Sequence, residues 1–357
     1  MRFFLFILTA FTLFSAEPEN YLCRESDDYI NIDGKANEQS WKVAPWTEYF
    51  KDIEGDLKPE PYFKTRVKML WDDKYMYFYA EMEEPHLWAT LTERDAVIFH
   101  DNDFEIFIDP TGDTHNYYEL EFNLFGTLWD LLLTKPYRDS GQAVDAWDVR
   151  DIKYALDLRG TLNNPSDTDE GWSIEAAIPW KVLEECASHP GPPKDGEIWK
   201  VNFSRVQWET EIQNYSYVKK ADTPEYNWVW SPQGLIAMHY PEMWGNVRFI
   251  ERNSLYDKDN FEFTEEESAE MKAEWILRQL YYGMKQTKEK TGKHPHGLNE
   301  LYRALKINNI RDIYPENLPY AEPEMSLFEN YYIIKMESRK TGIRNVLIRE
   351  DGRVWKE

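Results

Sequence analysis

Alternating apolar and polar positions dominate the chain from about residue 28 to residue 250. Thr65–Trp71 alternates, Asp72-Asp73-Lys74 turns, and Tyr75–Ala80 returns, the pattern of a β-hairpin. Phe104–Ile108 predicts a second strand, ended by Asp109-Pro110-Thr111-Gly112-Asp113. Tyr117–Leu124 sets Glu119, Glu121 and Asn123 against Tyr118, Leu120, Phe122 and Leu124; a turn at Phe125-Gly126-Thr127 then leads into Leu128–Leu133. Trp172–Ile178 and Trp199–Trp208 supply two more strands, and short helical pieces are expected at Glu38–Ala44 and Lys181–Ala187. Many short strands separated by turns predict a mainly β fold, an antiparallel β-sandwich.

Side chains alternate across a strand, so parity assigns faces. Phe104, Ile106 and Ile108 point to the core, which leaves Asp101, Asp103, Glu105, Phe107 and Asp109 on the opposite face. Glu119, Glu121 and Asn123 share a face on the next strand. If the two strands pair, Glu105, Glu121 and Asn123 form one polar patch, either a ligand site or a solvated sheet surface.

The pattern changes after residue 255. Thr264-Glu265-Glu266-Glu267 is a capping box, in which the Thr hydroxyl and the Glu267 carboxylate each bond a free backbone N–H. A helix is expected from there to about Lys290, with Ile276, Leu280 and Met284 on one stripe and Gly292 as its stop. Leu298–Leu305 predicts a short helix; Tyr331–Met336, Asn345–Arg349 and Arg353-Val354-Trp355 predict strands. The organisation expected is a sandwich over 17–255, with 256–263 as linker within a small α+β appendage over 256–357.

Composition narrows the function. A formal net charge of −24 disfavours nucleic acid and anionic membrane surfaces as partners. Aromatic residues make up 16% of the chain, enough for a sandwich core and for flat platforms that stack on ligands. Residues 1–16 read as a signal peptide: Arg2, an apolar run from Phe3 to Phe14, and Ala16 at the cleavage point. Export to the periplasm, the cell surface or the medium is therefore expected, with no membrane span in the mature chain. Cys23 and Cys186 are the only cysteines, so one disulfide at most is possible, and the sequence leaves open whether they pair.

Five segments carry a resemblance, in order: Ile32-Asp33-Gly34 with Glu38 and Trp41; Val67–Tyr79; Asp103–Asp109; Gly171–Trp180; and Pro241–Phe249. Together the chain resembles the family 9 carbohydrate-binding modules, over about two-thirds of its length and none of 256–357. The resemblance implies a sandwich, sugar binding, structural calcium, and an association with glycoside hydrolases, whose chemistry sits in partner domains. It also implies two Trp that grip a terminal sugar. This chain departs there, with Ile98-Phe99-His100 at the first clamp position and Met238-His239 at the second.

The expected function is non-catalytic carbohydrate binding in support of polysaccharide degradation or uptake. Trp228 and Trp230, in a loop-like stretch beside Pro232 and Gly234, are expected to stack on the sugar with Phe99 and near Trp208. Glu121, Asn123, Arg205 and Gln207 are expected to bond its hydroxyls, with His100 and His239 flanking. For Arg205 the alternative is a salt bridge to Glu119 or Glu121. Asp101, Asp103, Asp109 and Asp113 offer hard oxygen ligands, which makes calcium the candidate cofactor. Two other readings stay open: a haem module using a Met/His pair, and an interaction protein that keeps the sandwich without the sugar site.

Overall fold

The computed structural model describes residues 17–307, 310–312 and 318–357. The expected signal peptide, 1–16, lies outside the described residues. The chain forms two compact units, one reaching Phe261 and the other spanning Glu262–Glu357.

The first unit is built from β1 (Asn20–Glu25), β2 (Lys51–Asp52), β3 (Thr65–Trp71), β4 (Tyr75–Glu83), β5 (Asp103–Asp109), β6 (Tyr117–Asn123), β7 (Leu128–Leu133), β8 (Ala143–Val144), β9 (Lys153–Arg159), β10 (Gly171–Pro179), β11 (Ile198–Gln207), β12 (Thr210–Gln213), β13 (Ser216–Lys219), β14 (Tyr226–Val229) and β15 (Gly245–Ile250). Short helix α1 (Gln39–Val43) falls within the expected Glu38–Ala44 piece, while α2 (Trp180–Leu183) starts one residue before the expected Lys181–Ala187 piece and ends four residues short of it. Strands β12 and β13 form a separate hairpin. The rest join one hydrogen-bonded path in the order β8-β7-β6-β5-β11-β15-β1-β3-β4-β10-β9, with β14 on β11 and β2 on β14.

That long sheet curls over on itself, and the apolar parity of its strands explains why. Phe104, Ile106 and Ile108 of β5, Tyr118, Leu120 and Phe122 of β6, and Trp199, Val201 and Phe203 of β11 form one inner face. Val67, Met69 and Trp71 of β3, Met76, Phe78 and Ala80 of β4, and Trp172, Ile174 and Ile178 of β10 form the other. The faces meet where the Phe78 and Phe203 rings lie 5.6 Å apart edge to face. Each such buried side chain contributes about 1.5–3 kcal/mol over leaving it in water. The result is a sandwich closed by β1, which runs parallel to both β15 and β3.

Local chemistry sets the turns. Asp72 Oδ1 accepts from the Lys74 and Tyr75 N–H groups at 2.7 and 2.8 Å, which fixes the β3–β4 hairpin. In the Ile32-Asp33-Gly34 turn, Glu175 accepts from the Asp33 and Gly34 N–H groups and from Trp41 Nε1. Gly34 sits at φ +84°, and a Cβ there would lie 2.8 Å from the Leu156 carbonyl carbon. Both cysteines are free thiols. No helix among the described residues is long and apolar enough to cross a membrane.

The second unit has its own core. Helix α3 (Glu265–Thr291) starts at the expected capping box and ends at Gly292 in the left-handed conformation. Its Ala273, Ile276, Leu277, Leu280 and Met284 pack against Tyr332, Ile334, Met336, Val346 and Ile348. Those residues come from an antiparallel sheet of β16 (Glu324–Leu327), β17 (Tyr332–Met336), β18 (Val346–Arg349) and β19 (Val354–Lys356). Helix α4 (Leu298–Leu305) completes the unit.

Candidate functional site

The outer face of β11, β5, β6 and β7 carries the polar constellation. Register places Ser204, Glu105, Glu121 and Trp129 side by side across the four strands. The neighbouring row is Asn202, Phe107, Glu119 and Leu131, and Asp103 opposes Asn123 beyond the first row. Four carboxylates are buried here: Asp103, Glu105, Glu119 and Glu121. One oxygen each from Asp103, Glu105 and Glu121 lies within 4.8 Å of the others. Like charges at that spacing repel by roughly 3 kcal/mol per pair at an effective dielectric of about 20.

Burial, reinforced by those neighbours, holds Asp103, Glu119 and Glu121 well above the usual carboxylate range. Burial also pushes Glu105 up to about 7, against the pull of the Ser204 hydroxyl. The cluster therefore shares protons near neutral pH, which lets its members both donate and accept hydrogen bonds. Asp103 Oδ1 accepts from the Val206 N–H at 3.1 Å, and Glu121 from the Phe99 N–H at 3.0 Å. Asp103 Oδ2 and Glu119 Oε2 are buried and accept no hydrogen bond. Among the described residues, the one basic side chain within 4 Å of any of the four is His239, with Nε2 3.9 Å from Glu119.

Aromatic side chains edge this floor on two sides. Phe99 and Trp129, both half-buried, stand 6.4 Å apart at an interplanar angle of 30°. The Phe99 turn is fastened by Trp208, whose Nε1 donates to the Phe99 carbonyl at 2.8 Å, while the Lys219 ammonium covers the Trp208 ring at 3.4 Å. His100 is exposed next to Phe99. On the other side His239 packs edge-on to Tyr137 at 4.5 Å and pairs its Nδ1 with the Tyr117 hydroxyl at 2.9 Å. Burial and the Arg138 charge bring His239 down to about 4, so the ring is neutral. The two expected clamp positions thus flank the acidic floor, one through Phe99 and the other through His239.

Other expected site residues go elsewhere. Trp228 and Trp230 are 2% exposed and belong to the sandwich core, so they offer no stacking face. Trp228 pairs through β14 with the end of β11, and Trp230 lies so close over Gly245 that a Cβ there would come within 2.4 Å of the indole. Arg205 shares parity with Val201 and Phe203 and is fully buried. It binds Glu84 at 3.0 Å, Thr65 at 3.1 Å and the Gln207 amide oxygen at 2.7 Å. Arg205 and Gln207 are therefore a structural pair, and the ion-pair partner is Glu84, not Glu119 or Glu121. Asn123 spends its amide on Leu91, Asp101, Phe125 and Thr127, which ties down the β6–β7 turn.

The four aspartates expected to bind calcium do not converge. Asp101 accepts from the Thr90 N–H and hydroxyl, the Leu91 N–H and Asn123. Asp109 accepts from the Thr111, Gly112 and Thr114 N–H groups, and Asp113 from the His115 N–H. These carboxylates organise loops; only Asp103 joins the acidic cluster. Trp129, Tyr137 and Glu119 are residues of the site that the sequence reading did not assign to it. The signal for Trp129 was its parity, since Gly126 centres the turn that sets it opposite Glu121. Two open cavities, of about 500 and 190 Å³, lie on other surfaces, one lined by Tyr29, Tyr75 and Lys153 and the other by Arg66 and Arg159. The acidic site is recognised by its chemistry and not by its volume.

Fold and site together define a β-sandwich with an aromatic-edged acidic face. The family model described as carbohydrate family 9 binding domain-like matches residues 32–228, more than half of the chain. The chain belongs to that family. Among curated proteins it is similar to exoglucanase XynX of Acetivibrio thermocellus, at 24% identity over 117 residues, covering 33% of this chain and 9% of that protein. It is also similar to endo-1,4-beta-xylanase A of Thermoanaerobacterium saccharolyticum, at 26% over 117 residues, covering 32% and 8%. The chain thus spans under a tenth of either relative's length. Among solved structures, a putative carbohydrate-binding protein from Bacteroides uniformis has a TM-score of 0.47 and 16% identity, with 65% of this chain and 100% of that one covered. A family 9 module from Caldicellulosiruptor kristjanssonii has a TM-score of 0.42 and 15% identity in complex with cellotriose, with 69% and 100% covered. With glucose the values are 0.41 and 17%, with 68% and 100% covered.

Proposed function

We propose that the protein binds a mono- or oligosaccharide, without catalysis, on the acidic face between Phe99–Trp129 and His239–Tyr137. The observation that carries this reading is the coincidence of both expected clamp positions with one patch of buried carboxyls, in a chain of this family. The ring of Trp129 supplies a stacking surface for the C–H face of a sugar, and the proton-sharing carboxyls supply directional bonds to its hydroxyls. Binding is favoured over glycoside hydrolysis by placement. A glycosidase flanks the scissile bond with its two carboxyls, whereas Asp103, Glu105 and Glu121 lie side by side on one sheet surface.

The haem alternative is disfavoured by His239, whose Nδ1 faces the Tyr117 hydroxyl and whose Nε2 faces Glu119. We further propose export, and a role beside polysaccharide-degrading or uptake machinery, glycoside hydrolases included. The test is calorimetric titration of the full chain with glucose, cellotriose, xylo-oligosaccharides and uronic acids. Saturable heat for at least one sugar, with affinity weakened in Trp129→Ala, is the expected result. A folded protein silent toward every sugar would sink the reading. Fractionation of expressing cells tests export, which fails if the chain is retained in the cytoplasm.

A further inference from the structure

The acidic floor has more oxygen than its protein neighbours use. Two other buried carboxylates in this unit are filled by N–H and O–H donors: Asp101 by two backbone amides, the Thr90 hydroxyl and the Asn123 amide, Glu175 by two backbone amides and an indole. Asp103 turns Oδ1 to Val206 and leaves Oδ2 without a donor, although the residue is 1% exposed. Glu119, 5% exposed and adjacent on the same face, likewise leaves Oε2 without a donor. Neither an arginine nor a lysine pairs with the four acids, among the described residues; Arg94, Arg138 and Arg205 are committed to Asp130, Glu242 and Glu84. Buried oxygens without a donor are costly, and a bound cation would supply the partner that the neighbouring side chains do not.

We propose that Asp103, Glu105 and Glu121 hold a divalent cation, calcium by its ligand chemistry, and that the ion offers its outward coordination positions to vicinal hydroxyls of the sugar. The second half rests on the carbohydrate reading above; the first does not. One oxygen from each residue lies within 4.8 Å of the other two. Oxygens around calcium sit about 2.3–2.6 Å from the ion, so pairs of them span up to about 5 Å, while magnesium at about 2.0–2.1 Å requires a tighter set. All three donors are hard oxygens on rigid strands, which disfavours zinc and copper. Calcium takes 6–8 ligands, more than three carboxylates and the nearby Glu119 fill in one-oxygen mode, which leaves positions for ligands from outside the protein. The site differs from the set Asp101, Asp103, Asp109 and Asp113, which the fold disperses.

The experiment uses the full chain, stripped with EDTA and dialysed. Calcium chloride is titrated calorimetrically into the parent, Glu121→Gln and Asp103→Asn, with folding checked by circular dichroism. Gln and Asn keep the shapes, and a carbonyl oxygen remains to accept from Phe99 or Val206, so both variants are expected to fold. The expected result is one calcium per chain in the parent, at least tenfold weaker in each variant, and weaker binding of magnesium. No calcium heat in the parent, or equal affinity in parent and folded variants, overturns the ion site; magnesium binding as tightly as calcium overturns the assignment of the ion. Glucose and cellotriose are then titrated with calcium and with EDTA. At least tenfold loss of affinity in EDTA supports mediation by the ion. Equal affinity in both overturns mediation and leaves carbohydrate binding standing. Silence toward sugars in a calcium-loaded protein removes the carbohydrate reading and the mediated step, and leaves the ion site supported.

Discussion

Removing Glu84 leaves the Arg205 guanidinium inside the sandwich with its charge unanswered. The pair is 3.0 Å long, with side chains 1% and 2% exposed, and the guanidinium lies 5.3 Å from the Trp228 ring centre. Deleting one member of such a buried pair costs about 3–5 kcal/mol, while replacing both by apolar side chains of similar volume is often close to neutral. Glu84 also accepts from the His86 N–H at 3.0 Å and from Asn102 at 3.3 Å, and each lost bond adds about 1 kcal/mol. Glu84→Leu and Arg205→Met are therefore each expected to cost about 3–5 kcal/mol, and the double replacement about 1–2 kcal/mol, so the singles fail to add by several kcal/mol. Urea unfolding followed by tryptophan emission measures this in the sandwich, since of 15 Trp only Trp275 and Trp355 lie beyond residue 261. A double variant whose cost equals the sum of the singles would refute the reasoning. Sugar affinity provides an independent check: Arg205→Met should leave it unchanged, and a folded variant that loses it would return Arg205 to the binding site.

Further predictions follow from single features. Trp129→Ala should weaken sugar binding by about 2- to 10-fold, matching roughly 0.5–1.5 kcal/mol of stacking, with little effect on unfolding; unchanged affinity argues against the Phe99–Trp129 edge. Trp228→Ala should cost about 3–5 kcal/mol of stability through the cavity it leaves, and a loss below about 1 kcal/mol would contradict its burial. Asp109 is pushed up to about 7 by burial and by the Asp113 charge. The folded state thus holds a proton that the unfolded chain releases near its ordinary pKa of about 4. Its contribution is full below about pH 4 and is lost as pH rises through about 7, by a few kcal/mol in total. The stability difference between Asp109→Asn and the parent should therefore change between pH 4 and pH 8, and a pH-independent difference would count against it. Gly34→Ala should destabilise the Ile32–Gly34 turn by at least about 1 kcal/mol, since φ is +84° and the added carbon meets Leu156; a neutral thermal shift would contradict that.

The fold was legible because strand parity and sandwich burial are the same fact seen twice. Phe104, Ile106 and Ile108, and Tyr118, Leu120 and Phe122, read as one face in the sequence and pack as one face in the core. Half of the site was legible by the same rule, as Glu105 and Glu121 pair directly. Parity also held the answer for Arg205, two positions after Phe203, but an arginine at an inward position contradicts the ordinary expectation for charge. Trp228 and Trp230 were misplaced because β14 is only four residues long and is defined by pairing with Ser204–Gln207. Neighbouring Pro and Gly describe a loop but not the side on which its rings lie. Asp101 was misassigned because a 3-10 turn at Ile98–His100 precedes it, and alternation counted backward from β5 does not survive a turn.

One further consequence comes from the pairing of β1 with β15, which joins Asn20 to Asn246 and Arg24 to Ile250. The first strand of this unit waits for the last, so the barrel-like seam closes only when more than two hundred intervening residues are in place. Contacts that distant in sequence fold slowly and keep edges exposed in the meantime. A fragment cut to the family-matched span, 32–228, would lack both strands of the seam. It should aggregate where a piece carrying residues 17–261 stays in solution, a difference visible by size-exclusion chromatography.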